Sequence, residues 1–226
     1  MIKAAIFDMD GLLIDSERII MQGCIEAAAS IGITYTEQQY VQLVGRIWSD
    51  SSRIMAEQLN GEHHMQQVIA GLNTYLDARN HVFPLKPGVL ELLQFYRDAG
   101  ITCSVASSSP IPHITHRLSH TGVLDYFDHV TSGQEVQRGK PNPDIYLLAM
   151  EKLGLQADEC IAFEDSELGA QAAIAAGLRV IVVPDLKQPG DLVRAQAFHV
   201  VESLLHWQHH HDALMGCVPS ADMADE

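Results

Sequence analysis

The amino-acid sequence predicts an α/β fold, in which helices flank a parallel sheet and a helical unit is inserted after the first strand. A short apolar run at Lys3–Phe7 is typical of a buried strand. From Ser16 to about Val82 the pattern is helical and more polar, without a strong strand signal. From Val89 onward short apolar segments alternate with helical ones, which indicates a parallel sheet covered by helices.

The helical stretch after the first strand is predicted to form a separate unit. Glycines divide it into segments that we expect to be helices: Arg18–Ile31, Thr36–Leu43, Asp50–Leu59 and Met65–Asn80. The proline-rich stretch Pro84–Val89 marks its end. An insertion near the carboxyl edge of a sheet costs little closure entropy, so the first strand can still join the sheet. We expect a core of residues 1–15 and 85–226 and a helical insertion of residues 16–84.

The remainder of the chain is predicted to supply the rest of the sheet and its covering helices. The predicted strands are Ile101–Ser107, His129–Ser132, Cys160–Phe163, Val180–Val183 and Phe198–Val201. The predicted helices are Val89–Ala99, Ile111–His120, Asp144–Leu153, Glu167–Ala176 and Ser203–His210. Glycines follow three of these helices, as is common at helix carboxyl ends: Gly100, Gly154 and Gly177.

Composition and charge exclude several classes of function. The chain has 226 residues, of which 47% are hydrophobic, and a formal charge of −15. Such a charge argues against nucleic acid and anionic membrane surfaces as partners. We expect no signal peptide, because Asp8 and Asp10 interrupt any apolar run at the start of the sequence. We expect no membrane span, because no apolar stretch approaches ~18 residues. The four cysteines are far apart and form no C-x-x-C pair, as in reduced cytosolic proteins. We therefore expect a cytoplasmic monomer that handles a small molecule.

Residues suited to chemistry lie at the predicted carboxyl ends of four strands. They are Asp8 and Asp10, Ser107–Ser109, Lys140 across a short loop, and Glu164 with Asp165. Ligands of open α/β sheets bind beyond this edge, so we expect these side chains to share one pocket.

A phosphoryl site accounts for this combination of groups. Several neighbouring carboxylates repel one another unless a hard cation such as Mg²⁺, which prefers oxygen ligands, lies between them. The run Ser107–Pro110 is predicted to begin a helix with serine as its cap, and helix amino ends bind anions. Lys140 adds a positive charge beside it. A site that combines a cation, hydroxyl groups, a helix amino end and a lysine is suited to phosphoryl transfer.

The spacing of Asp8 and Asp10 predicts a division of work between two carboxylates. Residues two apart in an extended segment point the same way, so both can face one pocket. One can attack phosphorus and form an aspartyl phosphate. The other can protonate the leaving oxygen and then accept a proton from water. Repulsion between them raises the proton affinity of one, so the pair can hold different protonation states.

Four segments resemble, in order, the signature motifs of the haloacid dehalogenase-like hydrolases. They are Asp8–Ser16 (DMDGLLIDS), Val105–Ser109 (VASSS), Lys140 in GKPNPD, and Phe163–Gly169 (FEDSELG). Their order and approximate spacing match over residues 1 to about 185. The helical insertion resembles the small α-helical cap of the phosphatase and phosphomutase subgroup. The resemblance implies a Rossmann-like parallel-sheet core with an inserted cap domain.

The resemblance also implies a role for each motif residue. Asp8 is expected to be the nucleophile and Asp10 the general acid and base. Ser107 is expected to bind the transferring phosphoryl group, and Lys140 to neutralise it. The dehalogenases of the family work without a metal and lack the second aspartate, so Asp10 argues against their chemistry.

The resemblance further implies a magnesium site and a phosphate site. The expected Mg²⁺ ligands are Asp8, the backbone carbonyl of Asp10, Glu164 and Asp165. The expected phosphate-binding residues are Gly11, Ser107, Ser108 and Lys140. Gly11 is expected to allow the turn that leaves the strand.

The resemblance implies a Mg²⁺-dependent phosphatase that acts on a small phosphomonoester, with a sugar phosphate as the expected substrate. Arg46 and Trp48, in the helical insertion, are candidates for contacting the leaving group. β-Phosphoglucomutases of the family carry a histidine and an aromatic residue where this chain has Ile20 and Cys24, which favours transfer to water. A phosphosugar mutase and a non-catalytic phosphosugar-binding regulator are the alternatives.

Overall fold

The strands form one parallel sheet, which confirms the predicted fold class. They are β1 (Ala4–Phe7), β2 (Thr102–Ser107), β3 (His129–Ser132), β4 (Cys160–Glu164), β5 (Arg179–Val182) and β6 (His199–Val200). The computed structural model describes residues 1–44 and 48–208, and within these ranges the strand order is β3-β2-β1-β4-β5-β6. Ala4 lies opposite Thr102 on one side and Cys160 on the other. The first strand of the chain is therefore central in the sheet.

The sequence of β1 explains its central place. A parallel strand with neighbours on both edges and helices on both faces has to bury every side chain, and all of β1 is apolar and buried. On one face Phe7 stacks on Phe163 of β4, with ring centroids 4.8 Å apart. The other face carries Ala4 and Ile6, which pack in a second hydrophobic cluster.

The segment between β1 and the proline-rich stretch folds into a helical unit, as predicted. Its helices are α1 (Ser16–Ser30), α2 (Glu37–Val41), α3 (Trp48–Gln58) and α4 (Glu62–Asp77). They enclose a hydrophobic cluster that includes Met21, Met55 and Val68. The backbones of α1 and α4 lie close together, since a Cβ at Gly71 would be 2.7 Å from that of Ala27. The division of the chain into a core and an inserted domain stays a prediction.

The observed bounds of these helices differ from the predicted ones for local reasons. Thr36 was predicted inside a helix, but its hydroxyl accepts the Gln39 N–H while the Gln39 side chain accepts the Thr36 N–H. This capping box makes Thr36 the cap, so α2 begins one residue later at Glu37. Helix α4 begins at Glu62, before the predicted Met65.

Helices cover both faces of the sheet. They are α5 (Val89–Asp98), α6 (Ile111–His120), α7 (Asp144–Leu153), α8 (Glu167–Ala175), α9 (Asp191–Gln196) and α10 (Leu204–Gln208). Helices α5, α6 and α10 share a core with Phe7, whereas α7, α8 and α9 pack in the cluster on the opposite face. Helix α9 was not predicted, because six residues are too few to show a helical period. No helix in the two described ranges is long and apolar enough to cross a membrane.

The outgoing and returning segments of the helical unit lie side by side. The Asp15 N–H donates to the Pro84 carbonyl at 2.9 Å. The Asp185 carboxylate, in the loop after β5, is 2% exposed; it pairs with Arg18 at the start of α1 and with Lys86, 2.6 Å away, in the returning segment. Both segments that connect the helical unit to the sheet therefore pair with one loop at the carboxyl edge of the sheet.

We expect Gly88→Ala to destabilise the fold more than Gly100→Ala. Both residues have a positive φ, +85° and +70°, where a Cβ costs about 1–2 kcal/mol. A Cβ at Gly88 would also lie 2.5 Å from the backbone nitrogen of Leu205 in α10, whereas nothing lies within 4 Å of one at Gly100. Overpacking adds about 1–3 kcal/mol. Urea unfolding measures both free energies, and equal losses would contradict the prediction.

Candidate active site

The sheet order brings the predicted site residues to one edge. Strands β2, β1 and β4 are neighbours, so Ser107, Asp8 and Glu164 meet at their carboxyl ends. A cavity of about 380 Å³ opens there. Its lining includes most of the residues predicted from sequence: Asp8, Asp10, Trp48, Ser107, Ser108, Lys140 and Asp165.

Lys140 lies at the centre of the polar network in this cavity. Its Nζ donates to Asp8 Oδ1 at 2.5 Å, to Glu164 Oε1 at 2.6 Å and to the Ala106 carbonyl at 3.3 Å. The Glu164 side chain is fully buried, and those of Lys140 and Asp8 are about 10% exposed. The lysine therefore joins the ends of β1, β2 and β4 through one buried ammonium group.

Burial and charge shift the proton affinities of this network. Burial raises the pKa of Asp8 to about 7, although the Lys140 ammonium opposes the shift. Burial alone lowers the pKa of Lys140, but the carboxylates of Asp8 and Glu164 raise it above its ordinary value. Lys140 is therefore a permanent cation, and Asp8 depends on nearby positive charge to stay ionised.

Glu164 is held by more partners than the sequence indicates. Its Oε1 also accepts the Tyr146 hydroxyl at 2.6 Å, and its Oε2 accepts the Ser166 hydroxyl at 3.2 Å. Tyr146 was missed as a site residue, because its position in α7 is that of a core aromatic. With both oxygens engaged, Glu164 orients Lys140 as well as contributing negative charge.

Three carboxylates could hold a divalent cation. Asp8, Glu164 and Asp165 are buried, and their oxygens lie within 4.8 Å of one another. Burial raises the pKa of Asp165 well above its ordinary value, and the carboxylate of Asp8 adds to the shift. Asp165 receives no hydrogen bond from the described residues, unlike Glu164. Gly11 has a φ of +84° and lies against Asp165, so any side chain there would clash with that carboxylate. A buried, oxygen-only donor set of this kind fits a hard cation.

Asp10 is held by a cation that the sequence did not reveal. Its Oδ1 accepts from Arg117 Nη1 at 2.7 Å, and its Oδ2 accepts from the Ser109 hydroxyl at 3.0 Å. Arg117 is in α6, 107 residues away along the chain, so no local pattern could indicate the pair.

Helix α6 has the predicted bounds, but the predicted serine cap is wrong. Ser107 to Ser109 do not cap α6, because Pro110 occupies the capping position and the helix begins at Ile111. The backbone leaves β2 in a turn in which Ser107 Oγ accepts the Ser109 N–H at 3.1 Å. Ser107 and Ser108 still line the cavity. They therefore present hydroxyl groups without a helix amino end directly behind them.

The helical unit contributes residues to the rim of the cavity. Trp48 lines it although its side chain is 65% exposed, whereas Arg46 is outside the described residues. Glu17, in the first turn of α1, also lines the cavity and accepts a hydrogen bond from the Tyr40 hydroxyl at 2.9 Å. Burial raises the pKa of Glu17 above its ordinary value, and the hydrogen bond from Tyr40 opposes this. A partly buried carboxylate therefore lies at the rim of the cavity that also contains Asp8 and Asp10.

Comparison with known proteins supports this assignment of motifs. The family model described as haloacid dehalogenase-like hydrolase matches residues 5–183. The chain is 33% identical to a phosphorylated carbohydrates phosphatase of Thermotoga maritima, over 88% of this chain and 94% of that protein. It is 32% identical to hexitol phosphatase B of Escherichia coli, over 81% and 84% of the two chains.

A solved structure gives the same result for the fold. The crystal structure titled as a putative β-phosphoglucomutase from Thermotoga maritima has a TM-score of 0.75 and 30% identity, and the match covers 92% of this chain and 99% of that one. Fold, motif geometry and the family match agree, and the phosphatase relatives indicate a phosphoric monoester hydrolase. The chain belongs to the haloacid dehalogenase-like hydrolases.

Proposed function

We propose that this protein is a divalent-cation-dependent phosphatase that hydrolyses a small sugar phosphate through an aspartyl phosphate on Asp8. The observation that carries the proposal is the buried contact of Asp8 with Lys140, beside the carboxylates of Glu164 and Asp165. Relatives named for phosphorylated carbohydrates and hexitol phosphates support the substrate class. We further expect the enzyme to be a cytoplasmic monomer.

The first step is attack of Asp8 on phosphorus. Lys140 binds Asp8 Oδ1 and so leaves Oδ2 to form the new O–P bond. The ester P–O bond breaks, its electron pair moves to the leaving oxygen, and Asp10 gives that oxygen a proton. The hydroxyl groups of Ser107 and Ser108 and the ammonium of Lys140 face the phosphoryl oxygens and stabilise their charge.

The second step returns the enzyme to its starting state. Asp10, now a carboxylate, accepts a proton from a water molecule that attacks phosphorus. The bond between phosphorus and Asp8 breaks, and its electron pair returns to the carboxylate. One residue serves as acid and then as base, so the two steps need only one proton carrier.

Asp8, Glu164 and Asp165 would hold the cation, together with the backbone carbonyl of Asp10. When bound, the cation supplies positive charge that offsets the phosphate oxygens and favours ionised Asp8. Gly11 leaves room for the Asp165 carboxylate. Asp165 is well suited to be a metal ligand, because its carboxylate has no hydrogen-bond partner among the described residues.

The residues at the rim favour a neutral polyhydroxylated leaving group. The Glu17 carboxylate can accept hydrogen bonds from sugar hydroxyls, and it repels a second anionic group. Trp48 offers an aromatic surface to the same space. A sugar monophosphate has hydroxyl groups that can bind Glu17, and it carries no second phosphate for Glu17 to repel.

A phosphosugar mutase is the second candidate, because one structural neighbour is titled as a putative β-phosphoglucomutase. Ile20 and Cys24 stand where those enzymes carry a histidine and an aromatic residue. Cys24 is 2% exposed, and neither residue is part of the cavity lining. These features favour water over a sugar hydroxyl as the acceptor of the phosphoryl group. A non-catalytic regulator is disfavoured by the presence of every motif residue.

Asp8→Asn is expected to lower phosphate release from sugar phosphates by at least about 10³-fold, because it removes the nucleophile. The assay is release of inorganic phosphate from a panel of sugar monophosphates that includes β-glucose 1-phosphate, whose isomerisation is followed in parallel. Asp158→Asn, an exposed residue in the turn before β4, is the matched control. Isomerisation without release would favour the mutase. Tight binding without turnover would favour the regulator.

MgCl₂ is expected to raise the melting temperature of the unmodified protein, because a cation that binds only the folded state stabilises it. At about 100 times Kd the gain is about 2.7 kcal/mol, or several degrees for a chain of this size. Asp165→Asn should lose most of this shift, and Asp158→Asn should keep it. An equal shift in all three proteins would rule out a cation site at Asp165.

Glu17→Gln is expected to reduce discrimination against a second phosphate. We expect the ratio of kcat/KM for glucose 6-phosphate to that for glucose 1,6-bisphosphate to fall by about tenfold, which is ~1.4 kcal/mol of lost repulsion. Glu26→Gln, an exposed change on the same helix, is the control. An unchanged ratio in Glu17→Gln would remove Glu17 from the specificity argument.

A further inference from the structure

Both carboxylate oxygens of Asp10 accept hydrogen bonds from residues of the segment that follows β2. Arg117 Nη1 donates to Oδ1 at 2.7 Å, and Ser109 Oγ donates to Oδ2 at 3.0 Å. The two contacts differ in kind, because one partner is a permanent cation and the other is a neutral hydroxyl that can accept a hydrogen bond as well as donate one.

Arg117 is itself fixed in place. Its side chain is only 12% exposed, and its guanidinium carbon lies 4.8 Å from the centroid of the Phe83 ring. Phe83 is 1% exposed and precedes Pro84, where the chain returns from the helical unit. A guanidinium that is stacked on a buried ring and paired with a carboxylate has little freedom to rotate. The orientation of Asp10 is therefore set by buried structure.

Stability alone does not explain this arginine. Its Nε is buried and has no hydrogen-bond partner in the described part of the chain, which is a cost to folding. A charged group also loses hydration on burial. Both costs to folding have a functional explanation if the fixed guanidinium orients the Asp10 carboxyl group toward the reacting oxygen.

We propose that Arg117 is the positioning residue of the acid–base step, an inference that rests on the proposed phosphatase mechanism. Oδ1 stays paired with Arg117 in both steps, and Oδ2 is the oxygen that carries the proton. In the first step the leaving oxygen takes the proton from Oδ2 as the ester P–O bond breaks. In the second step the attacking water gives a proton to Oδ2. Ser109 keeps Oδ2 in place between the two transfers.

The test compares leaving groups of one shape and different acidity, namely phenyl, 4-chlorophenyl and 4-nitrophenyl phosphate. The parameter kcat/KM covers only the steps up to release of the phenol, so it reports protonation of the leaving oxygen. A nitrophenolate leaves without a proton, whereas a phenolate needs one. Arg117→Met should therefore lower kcat/KM for phenyl phosphate by about 10²-fold and for 4-nitrophenyl phosphate by less than about threefold. The plot of log kcat/KM against leaving-group pKa should become steeper.

Two further variants complete the test. Arg117→Lys retains a cation on a more flexible stem and should recover part of the loss. Arg97→Met removes an arginine that stacks on Tyr126 away from the site, with its guanidinium carbon 4.0 Å from the ring centroid, and should leave the slope unchanged. Comparing slopes cancels the fraction of folded enzyme, so destabilisation alone cannot mimic the result.

The outcomes separate the two proposals. A steeper slope in Arg117→Met supports the positioning role. Parallel slopes in the unmodified protein and Arg117→Met would overturn the role of Arg117 and leave the phosphatase intact. No hydrolysis of any ester by the unmodified protein would overturn the phosphatase, and the assignment of Arg117 with it.

Discussion

The buried contact of Lys140 with Asp8 and Glu164 is the interaction on which the rest of the site depends. Buried carboxylates at neighbouring strand ends would repel one another, and each would lose hydration without compensation. The ammonium group offsets two of these charges. Tyr146 donates to the same Glu164 oxygen as Lys140, and Ser166 donates to the other oxygen. The carboxyl edge of the sheet can therefore carry several buried acidic residues. The same contact leaves one oxygen of Asp8 available and makes its ionisation sensitive to any further positive charge.

A second cation, Arg117, holds the other candidate catalytic carboxylate, Asp10, from 107 residues further along the chain. Lys140 comes from the loop after β3, and Arg117 comes from α6, so the two aspartates of one short segment are held by different elements. This separation gives Asp8 and Asp10 different surroundings although they are two residues apart. Asp8 is buried among carboxylates, whereas Asp10 is 28% exposed in its side chain and paired with a guanidinium. Two carboxyl groups with different environments are what an acid–base and nucleophile pair requires.

The path of the chain links this chemistry to selectivity. The segment that carries Asp8 and Asp10 continues directly into α1, and Glu17 in the first turn of α1 already lines the cavity. Asp185 pairs with Arg18 and Lys86, which lie on the two segments that connect the helical unit to the sheet. In the proposed mechanism, the strand ends supply groups for the phosphoryl transfer, and the helical unit supplies groups that meet the leaving part of the substrate. Changes in that unit can alter substrate choice without moving the carboxylates.

The sequence alone determined the parallel α/β sheet, the helical unit and the side chains at the strand ends, because these follow from local periodicity and from motifs only a few residues long. Only the tertiary structure decided how those side chains are held. Arg117 meets Asp10 across 107 residues, Tyr146 meets Glu164 across 18, and Tyr40 meets Glu17 across 23. It also decided that Pro110, and not a serine, occupies the capping position before α6. A local pattern indicates which face of a helix is buried, but not which charged group of a distant segment lies against it. The candidate catalytic groups can therefore be named from sequence, whereas their orientation and proton affinity depend on packing between elements that are distant along the chain.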